Sequence, residues 1–232
     1  LVLVLFMLPF FIQKNFGIRL PGVLEIIILL FIFAAEILGE LQSYFIQYPN
    51  WDTMLHTTNG FLCAAVGFSL IDILNRNAKI KFTLSPVYVA LAAFCFSMTI
   101  GVLWEFFEFS MDRLFHMDMQ KDTIVHTISS VMLDPTNSNI PITIDGITSV
   151  AVNGQDLGFS GYLDIGLYDT MEDLFVNFIG ATVFSVIGYF YLKRRGEGRF
   201  AAAFIPTLEE TDKEADADHG NSPAQTSDPD VS

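Results

Sequence analysis

Long apolar runs and short polar linkers alternate along this chain. The apolar runs cover roughly 22–42, 52–74, 84–111 and 170–192. Each has at least about the 20 residues that a helix needs to cross roughly 30 Å of hydrocarbon. A shorter apolar stretch, LVLVLFMLPFFIQ, covers residues 1–13. The pattern predicts four full transmembrane helices and, at 1–13, a truncated or short membrane segment.

A second pattern lies in the long region 112–168, which follows the third apolar run. From Pro141 the chain reads PITIDGITSVAVNGQDLGF, in which β-favouring residues flank an Asp-Gly pair at 145–146 and an Asn-Gly pair at 153–154. Asp-Gly and Asn-Gly are the preferred pairs of two-residue hairpin turns. The sequence therefore predicts a small three-stranded meander near 141–159.

Together these patterns predict an all-α polytopic membrane bundle with a small outward-facing β-hairpin or meander insertion. The chain is 52% hydrophobic and only 16% charged, whereas soluble domains are about a quarter charged. The lipid bilayer is thus an expected partner. In chain order the predicted segments are the membrane segment at 1–13, transmembrane helices within 22–111, an extracytoplasmic region at 112–168, the last transmembrane helix at 169–195, and a cytoplasmic disordered acidic tail at 196–232.

The net charge of −14 says little about the membrane part, because the tail supplies about half of it. From Leu208 onward the chain has eight acids and one lysine and lacks aromatic residues, which is typical of a disordered segment. No stripe of basic residues with interleaved aromatics suggests a nucleic-acid partner. Cys63 and Cys95 both lie in apolar runs, where buried thiols are favoured over a disulfide framework.

The basic residues of the linkers indicate the orientation. Lys and Arg occur in 13–22, 75–82 and 193–199, whereas 42–50 has no charge and 112–168 has more acid than base. Basic loops normally stay in the cytoplasm. We therefore predict a multi-pass protein of the cell membrane with a cytoplasmic C-terminus, in which 42–50 and 112–168 face outward.

Acidic residues gather at the ends of the apolar runs that this topology places outside. A charged side chain at the bilayer centre costs about 2.5–3.5 kcal/mol on insertion scales, so such residues normally face the bundle interior or a water-filled cavity. Carboxylates that crowd together must bind a cation, share protons or pair with bases. The polar residues concerned are Glu36, Glu40, Asp52, His56, Asn59, Glu105, Glu108, Asp112, Asp169, Asp173 and Asn177.

Simpler roles remain open for part of this set. Asp52 and Asp169 stand at predicted helix starts, where Asp is a good N-cap, and Asp169 with Glu172 has the form of a capping box. The two glutamates of the first full span could extend to the interface, and His56 could be a buried core histidine. Glu105 and Glu108 are flanked by aromatic residues. Neither helix capping nor exposure at the interface explains these two acids as readily.

A histidine among carboxylates has the chemistry of a divalent-metal site, because imidazole nitrogen and carboxylate oxygen are common metal ligands. The repeated sequence DTMLHT at 52–57 and DTIVHT at 122–127 adds the expectation that a helix also begins near 122 and brings Asp122 and His126 to the same mouth. The predicted metal ligands are His56, Glu105, Glu108, Asp169 and Asp173, with Asp52, Asn59 and Asn177 as supporting polar residues.

Three blocks resemble, in order, those of YjdF-like inner-membrane proteins: WDTMLHTTNGF, GVLWEFFEFSMD and YDTMEDLFVNFIGA. They are more distantly similar to blocks of VanZ-like proteins, from which the insertion near 141–159 departs. The resemblance covers roughly 22–192 and implies where a site lies rather than what it does. The positions that it carries over are Asp52, His56, Glu105, Glu108, Asp169, Asp173, Asn177 and Gly180.

Three functions are compatible with these observations. The first is a binding or transport-like membrane protein whose outward acidic and histidine-containing cavity takes a cation or a cell-envelope ligand. The second is a membrane-embedded, metal-dependent hydrolase that acts on a lipid-linked substrate; the sequence has no HExxH, nucleophile elbow or P-loop to assign catalytic residues. The third, a purely structural bundle, leaves Glu105 and Glu108 unexplained.

The orientation can be tested by cysteine labelling in intact cells. Single cysteines placed in 42–50 and 112–168 should react with a membrane-impermeant maleimide, because the scarcity of basic residues predicts these regions outside. Lys79→Cys should react only after the membrane is permeabilised. Labelling of Lys79→Cys from outside would overturn the predicted topology.

Overall fold

The computed structural model describes residues 3, 6–16, 18–76, 84–194, 203–205 and 207–208. The helices are α1 (Leu8–Phe16), α2 (Gly22–Ile32, continued as a π-helix over Phe33–Leu41), α3 (Tyr44–Gln47), α4 (Trp51–Arg76), α5 (Pro86–Phe115) and α6 (Leu167–Lys193). The strands are β1 (Ile18–Arg19), β2 (Thr123–Val125), β3 (Ile128–Ser130), β4 (Ile142–Ile144), β5 (Ala151–Val152), β6 (Gln155–Asp156), β7 (Tyr162–Asp164) and β8 (Thr207–Leu208).

Among the described residues, four helices are long and apolar enough to cross a membrane: Gly22–Leu41, Trp51–Leu74, Pro86–Phe115 and Leu167–Lys193. The predicted mostly helical membrane fold is confirmed, and each helix lies within a few residues of its predicted limits. The start of α5 shows how sequence sets such a limit. Ser85 caps the helix by accepting a hydrogen bond from the Tyr88 amide, and Pro86 follows as the first helical residue, where its missing N–H costs nothing.

The second half of the first span is a π-helix rather than an α-helix. It covers Phe33–Leu41 and ends where the Gln42 amide bonds to the Ile37 carbonyl. Gly39 lies against the ring of Phe45, and the chain then turns at Ser43, whose φ is +58°. A π-helix is rare and is found mostly in short pieces, often near functional sites.

Helices α4 and α6 approach each other through glycines. A Cβ placed on Gly180 would overlap the carbonyl oxygen of Thr57, and one placed on Gly60 would overlap that of Asn177. On α5, a Cβ at Gly101 would lie 2.8 Å from the Asn177 amide nitrogen. Small residues allow helix backbones to pack this closely in membranes, and α4, α5 and α6 therefore form one compact bundle.

An aromatic core fills the part of the bundle beyond these glycines. Phe68 and Phe184 are fully buried, and Phe61 meets Phe184 edge-to-face with ring centroids 5.0 Å apart. Phe204 also packs edge-to-face against Phe61, with ring centroids 5.2 Å apart, and Ile205 is buried as well. Edge-to-face packing is a favoured arrangement of aromatic rings.

Part of the predicted disordered tail is ordered. Disorder was expected throughout 196–232, but Phe204 and Ile205 lie in the core, and strand β8 pairs antiparallel with β1. These apolar residues precede the run of acids and have surface to bury, so the prediction fails for 203–205 and 207–208. Residues 77–83, most of the basic C-terminal linker and 209–232 lie outside the described residues.

The region between α5 and α6 contains three small antiparallel pairs: β2 with β7, β3 with β4, and β5 with β6. The predicted Asn-Gly hairpin is present between β5 and β6, with positive φ at both Asn153 and Gly154, as a type I′ turn requires. The three-stranded meander near 141–159 is wrong, because β4 pairs with β3 instead of β5. The helix expected near 122 is also wrong, since 123–125 forms strand β2.

The Asp-Gly pair ends β4 instead of turning it back. The Asp145 carboxylate accepts hydrogen bonds from the Thr127 hydroxyl at 2.5 Å and from the Gly146 amide at 2.9 Å. The Ile147 amide then bonds to the His126 carbonyl. The pair therefore fastens β4 to the residues before β3. The Thr127 hydrogen bond, followed by the amide hydrogen bond, lowers the pKa of Asp145.

The glycine contact gives a stability prediction. Gly180→Ala should lower the free energy of unfolding by about 1–3 kcal/mol, because its Cβ meets rigid backbone and the helices must separate. Gly22→Ala is the matched control, since a Cβ there meets nothing within 4 Å. Thermal unfolding of both variants in the same detergent measures the difference. Equal stability of the two would show that α4 and α6 are not in close contact.

Candidate metal centre

His56 stands at the centre of a group of carboxylates supplied by three helices. Its Nε2 atom lies 3.4 Å from Asp52 Oδ1, one turn earlier on α4, and 3.6 Å from Asp173 Oδ2 on α6. Its Nδ1 atom lies 3.9 Å from Glu105 Oε1 on α5. The two ring nitrogens thus face different carboxylates. Within each helix the spacing of the sequence puts the acids on one face, because residues three and four apart are neighbours on the helix surface.

The possible ligand atoms fall into two overlapping groups. In the first, one atom from each of His56, Glu105, Glu108 and Asp173 lies within 4.8 Å of every other. In the second, the same holds for Asp52, Asp169 and Asp173. Each of the five predicted ligands belongs to one of these two groups, which share Asp173, and Asp52, predicted as a supporting residue, belongs to the second group.

Two carboxylate oxygens in this cluster have no hydrogen-bond partner among the described residues. They are Oε2 of Glu105 and Oδ2 of Asp173. The residues are only 4% and 3% exposed, respectively. Burying a polar atom without a hydrogen-bond partner costs free energy. Both oxygens could therefore bind a cation or a proton.

The cluster is rich in acids and poor in bases. The two groups contain five carboxylates and one imidazole, and in the part of the chain that the structure describes no lysine or arginine side-chain nitrogen comes within 4.0 Å of these carboxylates. Five ionised carboxylates at this spacing would repel strongly. A bound cation, bound protons or both must offset that charge.

The segment after α5 closes over the cluster and was not predicted. The Asp112 carboxylate accepts hydrogen bonds from the Met119 amide at 2.7 Å and the Gln120 amide at 2.9 Å. The Lys121 amide donates to Asp169 Oδ2 at 2.7 Å, and the Gln120 side chain donates to the Thr170 hydroxyl. The residues that make these contacts lie in a stretch without regular hydrophobic periodicity, so the contacts could not be predicted from the sequence pattern.

Other side chains orient the cluster from its edges. Trp104 donates its indole N–H to Glu108 Oε1 at 2.8 Å, which fixes one oxygen of that carboxylate. Below the cluster, Asn59 and Asn177 meet side chain to side chain at 3.4 Å, and Asn177 also contacts the Met98 sulfur at 3.6 Å. The two predicted supporting residues Asn59 and Asn177 thus form a separate layer beneath the cluster and are not members of it.

The alternative roles can now be compared with the structure. Helix α6 is capped by Gly166, with φ of +102°, so Asp169 lies inside the first turn and does not form the capping box. Helix α4 begins before Asp52, at Trp51. His126 bonds to the Ile147 carbonyl through Nδ1 and belongs to the strand region. His126, Glu36 and Glu40 do not belong to either of the two ligand groups.

Comparison with known proteins identifies the family. Residues 1–194 match the family model described as Predicted membrane protein (DUF2238). The chain belongs to this family. The assignment agrees with the YjdF-like resemblance, whereas the more distant VanZ-like similarity stays a prediction. No curated protein matches the chain, and no solved structure does.

The closing segment can be tested through Asp112. Asp112→Ala should speed hydrogen exchange of the Met119 and Gln120 amides by at least about tenfold, because bonds to a charged acceptor contribute about 1.5–3 kcal/mol and about 1.4 kcal/mol corresponds to a factor of ten. Asp118→Ala is the control, since this side chain is exposed. Exchange measured by mass spectrometry that is unchanged in Asp112→Ala would contradict the contact.

Proposed function

We propose that this DUF2238 membrane protein binds a divalent metal cation between α4, α5 and α6, in an acidic cavity that faces the outside of the cell. The observation that carries the proposal is the pair of buried carboxylate oxygens without hydrogen-bond partners, on Glu105 and Asp173. Glu105 and Asp173 both belong to the group in which one ligand atom from each residue lies within 4.8 Å of the others. A cation placed among them would satisfy both oxygens at once.

The ligand types favour a transition metal or zinc. His56 offers one nitrogen, and the remaining ligands are carboxylate oxygens. Imidazole suits zinc, iron and related ions, whereas magnesium and calcium prefer sites built from oxygen alone. Mn²⁺ also accepts carboxylate-rich surroundings. Zn²⁺ and Mn²⁺ are therefore the ions to test first.

The outward orientation rests on the linkers. Helix α4 starts at the cluster and runs to Arg76, where the basic linker 75–82 follows. If basic loops stay in the cytoplasm, the opposite end of α4, which carries Asp52 and His56, lies at the outer face. A cation or ligand from the cell envelope would then reach the cavity from outside.

A second candidate function, a metal-dependent hydrolase acting on a lipid-linked substrate, has one observation in its favour. Asp52 lies 3.4 Å from His56 and belongs to a different ligand group from Glu105 and Glu108. A carboxylate beside a metal can accept a proton from metal-bound water. Turnover of an ester would distinguish this enzyme from a binding or transport protein.

Metal analysis tests the binding proposal. The protein, purified in detergent and dialysed against Zn²⁺ or Mn²⁺, should retain the ion. The Glu105→Gln, Glu108→Gln double variant should weaken binding by more than the roughly 10–100-fold caused by loss of an outer-shell partner, because it removes two ligands. His56→Ala should act in the same direction.

Glu172→Gln is the matched control, because Glu172 is an exposed acid directly beside Asp173 on α6. It should bind as the unmodified protein does. Thermal unfolding of each variant without added metal separates lost ligands from lost folding. A correctly folded protein that retains no Zn²⁺ or Mn²⁺ would contradict the proposal.

A further inference from the structure

We propose that the cluster is a two-metal centre in which the Asp173 carboxylate bridges the ions. The inference rests on the proposed metal binding and adds its stoichiometry and ligand division. One ion would take His56, Glu105 and Glu108, and the other Asp52 and Asp169.

Asp173 is the one member common to the two ligand groups found among the described residues. It is 3% exposed, and its Oδ2 atom has no hydrogen-bond partner there. A carboxylate has two oxygens and can give one to each of two ions. In two-metal sites the ions lie about 3.5–4 Å apart, so they need a shared ligand, and Asp173 is the residue that belongs to both groups.

The imidazole separates the carboxylates into two sets. Glu105 faces Nδ1 of His56 at 3.9 Å, whereas Asp52 faces Nε2 at 3.4 Å; the proposed bridging residue Asp173 faces Nε2 through Oδ2 at 3.6 Å. The lone-pair directions of these two nitrogens diverge, and a metal-bound histidine normally uses one nitrogen and directs the other to a carboxylate. An ion on the Nδ1 side would therefore leave Asp52 as the second-sphere partner of His56 and as a ligand of the other ion.

The charge of the cluster also favours two ions. The two groups together contain five carboxylates, so one divalent ion would leave a net charge of about −3 if all were ionised, and two would leave about −1. Carboxylates so close together cannot all stay ionised without compensation. Two ions would compensate nearly all of this charge without requiring several protons.

A two-metal centre would narrow the possible function. Two adjacent ions can hold and activate a bridging water and stabilise both the attacking and leaving oxygens of a displacement. This chemistry is more typical of phosphate-ester hydrolysis than of a simple cation carrier. The proposal therefore strengthens the hydrolase among the two candidate functions.

The test is a Mn²⁺ titration of the full chain in detergent, followed by elemental analysis and electron paramagnetic resonance. The unmodified protein should bind two Mn²⁺ per chain and show the spectrum of a spin-coupled pair. Asp169→Asn and Asp52→Asn should each retain about one Mn²⁺ with an uncoupled six-line spectrum. Asn keeps an oxygen acceptor for the Lys121 amide, so Asp169→Asn should still fold.

The controls separate this inference from the function on which it rests. Glu172→Gln should keep two coupled ions, and Asp173→Asn should abolish the coupling. One Mn²⁺ per chain that is lost in Glu108→Gln but unaffected by Asp169→Asn and Asp52→Asn would overturn the two-metal centre and leave the single site standing. A folded protein that binds no Mn²⁺ and no Zn²⁺ would overturn both.

Discussion

The close contact between α4 and α6 controls the rest of this structure. Gly60 and Gly180 leave no room for a side chain between the two backbones, and both contacts lie within about two helical turns of the cluster. Thr57, which faces Gly180, follows His56 directly, and Asn177, which faces Gly60, lies four residues after Asp173. Within a membrane, apolar side chains gain little by leaving lipid for one another, so close packing of small residues becomes the main source of helix association.

This packing explains how costly groups can be buried side by side. The helices form a dry aromatic core around Phe68 and Phe184, while the asparagine layer of Asn59 and Asn177 separates that core from the acids. The acids therefore occupy the end of the bundle, where the segment through Gln120 covers them. A site arranged in this way is held by rigid helices, and its ligands are preorganised rather than assembled by a loop.

The sequence was informative wherever a regular period relates residues to one face. Apolar runs predicted four spans, and the spacing of Asp52 with His56, or of Glu105 with Glu108, predicted which side chains share a face. Pairing across the 112–168 region could not be predicted in this way. The Asp-Gly pair is compatible with a hairpin, but the Thr127 hydroxyl bonds to Asp145 and ends the strand.

Contacts between distant segments were the other limit. Nothing in the sequence near Asp112 indicates that its carboxylate bonds to amides seven and eight residues later. The glycine contacts could not be predicted either, since Gly60 and Gly180 are 120 positions apart in the sequence. A glycine in an apolar run does not by itself indicate a helix contact. Such contacts depend on the relative depth and rotation of two helices, which periodicity in one helix does not determine.

The pairing of β8 with β1 has a consequence for where the folded unit ends. The match to the family stops at residue 194, yet Phe204 still contacts Phe61 in the bundle. A truncation designed from family boundaries would remove that ring and the strand beyond it, and would leave an apolar recess beside α4. Expression of the folded unit therefore calls for a C-terminal boundary no earlier than Leu208, with any purification tag attached beyond it.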